Sequence, residues 1–284
     1  MLGKLIKHEF LATARLMAPS YIAIMVIALL GRLFTWLSTR KLLEDSVPVA
    51  FLRSIHAIAN ILSVLFVLAF IALVILTIFY MVYRFYKNFF TDQGYLMMTL
   101  PTKPRHLIFS KLINAVIWAL FSAVIAILSM YIALGTAELV DNLKMMWNSI
   151  LELMHYNENF LKDQLGVDLW VFAVELVIFF MAYIARFILS WYFAIAFGQL
   201  LWKKHKILGA IVAYLLLEIA SNIISSLFMA FDTQVLTKWI PSLEISSGAA
   251  LQSTVIGNGI VMILVAALLY WLTARIMTRK LNLD

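Results

Sequence analysis

The chain has 284 residues, 64% hydrophobic and 13% charged, where an ordinary soluble domain carries about 45–50% and 25%. A soluble chain of this length cannot bury that much apolar surface, so the composition excludes a soluble protein and points to a polytopic membrane protein. A formal net charge of +7 fits the basic loops of such a protein better than a nucleic-acid surface, and the absence of cysteine excludes disulfides, thiolate nucleophiles and Cys-ligated metal centres.

Residues 1–16 are predicted to form an amphipathic helix, with Leu2, Leu5, Ile6 and Phe10 at helical spacing and Lys4, Lys7, His8 and Arg15 on the other side. A cationic start before an apolar run also suits a signal peptide. However, the run from Met17 to Trp36 is long enough to span and no small-x-small cleavage site follows it, so an interfacial elbow helix is expected. A span needs roughly 20 apolar residues, which places six spans near 17–36, 61–83, 111–134, 169–200, 207–230 and 255–274. The predicted fold is all-α and transmembrane, in a single transmembrane domain.

Lysine and arginine orient these spans. Lys4, Lys7 and Arg15, the five basic residues between Arg84 and Lys111, Lys203, Lys204, Lys206, and Arg275, Arg279, Lys280 make 14 of the 22, all on one side of the membrane. Glu44, Asp45, Glu138, Asp141, Glu152 and most other acids fall on the opposite side. Both termini are therefore expected to be cytoplasmic. The segment 135–168 is expected outside as one or two amphipathic helices, with Leu139, Leu143, Met146, Ile150 and Met154 at helical spacing. The stretch 169–201 is about 50 Å long as a helix, more than the hydrocarbon thickness, so it is expected to protrude, tilt or kink.

One polar stretch interrupts the apolar runs. Residues 84–110 are expected to be a cytoplasmic loop containing a short helix, since Gly94, Pro101 and Pro104 prevent a continuous one. Phe89, Phe90, Tyr95, Leu96, Met97 and Met98 add apolar and aromatic side chains to this loop. Such a cluster suits either a docking interface or packing beneath the membrane domain.

Glu175 and Arg186 in the fourth span and Glu218 in the fifth are charges within the bilayer, where ionisable groups are costly. Counted from the turn at Lys203–Lys206, Arg186 rises about 25 Å and Glu218 about 18 Å, close enough to pair across antiparallel helices. Glu218, Ser221, Asn222 and Ser225 form one polar stripe that must face protein or water. The group suits either a polar path and moving hinge or an internal bond between helices.

Enzymatic motifs are absent from the sequence. The five histidines are scattered singly, with no H-E-x-x-H, and there is no G-x-S-x-G. The only Gly-Lys is Gly3-Lys4, so no P-loop exists and this chain is expected to bind no cofactor.

With the elbow helix, six spans and the loop DQGYLMMTLPTKPRHLIFSK, the chain resembles the permease subunits of bacterial type-2 ABC exporters. Asp92, Gly94, Tyr95, Leu100, Pro101 and Lys111 stand where that family carries an acidic residue, Gly, Tyr or Thr, Leu-Pro and a Lys before the third span. It departs from the pattern in a short segment before the sixth span, with the outer region concentrated between spans three and four. The resemblance implies a homodimer or a pair with a sister permease. It also implies a separate ATPase subunit, carrying ATP and Mg, that docks on a coupling helix made by Asp92, Gly94, Tyr95, Leu96, Met97, Met98, Leu100, Pro101 and Arg105. A membrane immunity or sensor protein and an ion-coupled secondary transporter are the alternative classes.

Overall fold

A computed structural model describes residues 2–39, 48–91, 94, 104–135, 141–142, 144–146, 148–149, 169–202, 205–239 and 247–279. The long elements are six helices: α1 Leu2–Ser38, α2 Val49–Phe90, α3 Pro104–Leu134, α4 Leu169–Leu201, α5 Lys206–Trp239 and α6 Ser247–Arg279. Each contains an apolar stretch long enough to cross a membrane, and no strand occurs among the described residues. The protein has an all-α transmembrane fold.

Several helices are longer than the apolar runs that predict them. The amphipathic segment of residues 2–16 and the first span form one continuous helix, because their inward faces are in phase. Glu9, Thr13, Met17, Ile24 and Ala28 are all buried, at spacings of four or seven, that is one or two helical turns. Pro19 lies inside α1 and removes the bond its amide would make to the Arg15 carbonyl. Helix α2 starts at Val49 rather than near 61 and runs on to Phe90. The loop expected at 84–110 is therefore shorter, since 84–90 finish α2 and Pro104 begins α3. Pro104 is well placed there, because the first helical residue has no intrahelical partner for an amide. Residues 141–142, 144–146 and 148–149 are helical, within the segment expected to carry amphipathic helices.

The chain divides into two compact units, one comprising residues 1–81 and 113–147, the other 82–112 and 148–284. In the first, Ile24 and Ala28 of α1 meet Phe66 and Leu73 of α2, with Ile125 and Ala126 of α3 packed against them. A polar seam runs beside this core. Ser122 Oγ lies 2.7 Å from the Tyr21 hydroxyl and 3.0 Å from Thr77 Oγ1, and Asn114 Nδ2 donates to Thr13 Oγ1 at 2.9 Å. Phe10 stacks on Trp118 with centroids 4.8 Å apart. Polar side chains in spans must find partners inside the protein, and here they link three helices.

In the second unit α4 is central, with α5 and α6 packed on it and scarcely on each other. Hydroxyls within the spans bond to their own helix, as Ser190 Oγ does to the Arg186 carbonyl at 3.0 Å and Thr273 Oγ1 to the Leu269 carbonyl at 2.7 Å. That pattern satisfies them without a neighbour.

Candidate functional site

Helices α4 and α5 form an antiparallel hairpin joined by a short turn, and its packing can be followed rung by rung. Nearest the turn, Gly198 and Gly209 meet backbone to backbone. A Cβ on Gly198 would come within 2.3 Å of the Ala210 amide nitrogen, and one on Gly209 within 2.5 Å of the Gly198 carbonyl oxygen. Small residues permit such approach in membrane helices. Further along, Trp191 stacks on Tyr214 with centroids 3.9 Å apart and planes 12° from parallel.

Deeper in the spans lies the polar rung. Arg186 Nη2 is 3.3 Å from Glu218 Oε2, and Arg186 Nη1 donates to Ser221 Oγ at 2.9 Å. The two charged side chains are 10% and 21% exposed, so the pair is largely desolvated. Arg186 Nε and Glu218 Oε1 are buried and have no hydrogen-bond partner among the described residues. A pair with an unmet donor and an unmet acceptor holds the helices in register and still has bonding capacity to offer a ligand or water. Of the remaining polar stripe, Asn222 is exposed, and the side chain of Ser225 lies outside what is described.

The other candidate region is the α2–α3 connection. Asp92, Tyr95, Leu96, Met97, Met98, Leu100 and Pro101 lie outside the described residues, but both flanks of the segment are described. Phe85 of α2 stacks on Tyr192 of α4 with centroids 3.9 Å apart and planes 7° from parallel, and Phe89 packs beside Phe85 at 5.0 Å. The Tyr192 hydroxyl makes a long contact of 3.5 Å to the Lys111 carbonyl of α3. Lys111 is buried, its ammonium 5.3 Å from the centre of the Phe89 ring, a cation–π distance. Tyr192 therefore touches both the outgoing and the returning helix and fastens the two ends of the connection to α4.

This changes the reading of two residues. Phe89 and Phe90, grouped with the docking cluster on sequence, are buried within the protein, at 0% and 8% exposure, and present nothing to a partner. Both rings pack against Phe85, which is itself stacked on Tyr192 of α4. Gly94 N donates to the Thr91 carbonyl at 2.7 Å, and a Cβ on Gly94 would lie 2.5 Å from the Phe89 carbonyl oxygen. Only glycine fits so closely against the end of α2. Arg105 is exposed and already part of α3, where its carbonyl accepts a bond from the Tyr270 hydroxyl of α6 at 2.9 Å.

Among the described residues no group of His, Cys, Asp or Glu has the arrangement to hold a metal ion. Fold and site together define a multi-pass α-helical membrane protein with a desolvated ion pair in its spans and a clamped connection between its second and third helices. No family model, curated protein or solved structure matches the chain.

Proposed function

We propose that the chain is the membrane-spanning permease subunit of an ATP-driven exporter, resident in the cell membrane with both termini cytoplasmic. The observation that carries this is the fastening of both ends of the α2–α3 connection to α4 through Phe85, Tyr192 and Lys111. Because α5 and α6 pack on α4, a force applied to residues 92–103 has a rigid route into the spans. The D-x-G-Y…L-P pattern within that connection supports the same role, and the fourteen basic residues on its side of the membrane support its orientation.

On this reading the chain has no catalytic residue. A separate ATPase subunit binds ATP and Mg and receives the segment Asp92–Pro101 in a groove, so that its ATP-driven closure moves the spans. A second permease, identical or a sister chain, completes the pathway.

Co-purification of the tagged chain with a soluble ATPase tests the proposal. Gly94→Pro and Leu96→Asp are each expected to abolish ATPase recovery while leaving membrane insertion intact. Undiminished recovery with both variants would overturn the docking role.

A second reading, ion-coupled transport, is favoured by the unmet Glu218 Oε1 beside Arg186. It requires Glu218→Gln to remove the pH dependence of transport by reconstituted protein, and it fails if the dependence persists.

A further inference from the structure

Where α3 begins and α6 ends, a third group of residues takes no part in the ion pair or the clamp. Arg105, Trp271, Ala274, Arg275 and Thr278 line an open cavity of about 170 Å³. Its walls are held by the bond from the Tyr270 hydroxyl to the Arg105 carbonyl and by the edge of Phe109 against Tyr270, centroids 6.4 Å apart. The Arg275 guanidinium lies 5.0 Å from the centre of the Trp271 ring. Thr278 directs its hydroxyl proton to the helix, with the Ala274 and Arg275 carbonyls at 3.0 and 3.2 Å. Among the described residues no acid lines the cavity, and both arginines are exposed. Two arginines on one cavity suit the oxygens of a phosphate, which arginine binds in bidentate fashion.

The surroundings distinguish the source of that phosphate. Ile260, Leu264, Leu268, Trp271 and Arg275 recur at steps of three or four along α6, and all are exposed. They form one outward stripe, apolar until its last member. Phe109, exposed one turn from Arg105, is its counterpart on α3. In helices that cross a membrane such a stripe lies among acyl chains, and a tryptophan at its end sits at headgroup depth. A free phosphate would use the arginines and leave the stripe unused.

We infer that this cavity binds the headgroup phosphodiester of an anionic phospholipid, Arg105 and Arg275 holding the phosphate while an acyl chain lies along Leu264, Leu268 and Trp271. Basic pockets between spans take anionic headgroups in this way.

Native mass spectrometry of the full-length protein in detergent, with phosphatidylglycerol or phosphatidylcholine added, tests the site. Phosphatidylglycerol is expected to be retained preferentially, and Arg105→Ala with Arg275→Ala to lower its retention about tenfold or more, as two basic residues at an anionic surface imply. Inorganic phosphate at the same concentration is expected neither to displace the lipid nor to raise the unfolding temperature. Equal retention of the two lipids, unchanged retention by the double variant, or displacement by inorganic phosphate would each overturn the assignment. Should the double variant fail to fold, the single variants Arg105→Gln and Arg275→Gln read the same loss in smaller steps. Full retention by both would overturn it equally.

Discussion

Arg186 of α4 and Glu218 of α5 lie 3.3 Å apart inside the spans, and Ser221, one turn beyond Glu218, accepts a 2.9 Å bond from the same guanidinium. The two contacts should differ sharply in worth. Removing one partner of a desolvated ion pair strands the other charge, at about 3 kcal/mol or more, whereas a single hydrogen bond between membrane helices contributes roughly 0.6 kcal/mol. Glu218→Ala is therefore expected to destabilise the protein several times more than Ser221→Ala, measured by unfolding in detergent micelles. Replacing both Arg186 and Glu218 by methionine should recover much of the loss, since no charge is then left stranded.

The Gly198–Gly209 crossing makes a second prediction. A methyl group at either position meets backbone rather than a flexible side chain, so the hairpin must spread. Overpacking of this kind costs about 1–3 kcal/mol, and both Gly198→Ala and Gly209→Ala should lower the unfolding midpoint. Gly3→Ala, with nothing within 4 Å of the new methyl, should leave it unchanged. A midpoint unaltered in all three variants would mean that the crossing is looser than described.

Tyr192 separates packing from polar contact. Tyr192 is 2% exposed, its ring is stacked on Phe85, and its hydroxyl lies 3.5 Å from the Lys111 carbonyl. Tyr192→Phe should cost less than about 1 kcal/mol, and Tyr192→Ala about 3–5 kcal/mol as a large aromatic lost from a core. If the clamp transmits force from the connection, Tyr192→Ala should still recover the ATPase but lose substrate-stimulated hydrolysis. Tyr192→Phe should keep both.

Gly94→Ala tests the end of α2 without a helix breaker. The added methyl would lie 2.5 Å from the Phe89 carbonyl oxygen, so the chain leaving α2 must shift while the spans stay in place. Membrane insertion and unfolding midpoint are expected to be preserved and ATPase recovery to fall severalfold. A drop in midpoint as large as that of Gly198→Ala would show that Gly94 supports the spans themselves.

Some of this was legible in the residues alone. Six runs of about twenty apolar residues are too long and too uninterrupted for anything but membrane helices, and their number needs no tertiary information. The level of Arg186 against Glu218 follows from counting along two helices joined by a short turn, because each residue advances a helix by a fixed rise. Which apolar residues face protein and which face lipid could not be read. In a soluble chain the polar face marks the outside, but lipid is as apolar as a protein core, so Phe85, Phe89 and Phe90 look no different in type from Phe79 or Phe121, which are exposed. The tertiary structure alone set the burial of Phe89 and Phe90, the stacking of Phe85 on Tyr192 and the meeting of Arg105 with Arg275 across one cavity. Each depends on contacts between residues distant in the chain, which no local periodicity encodes.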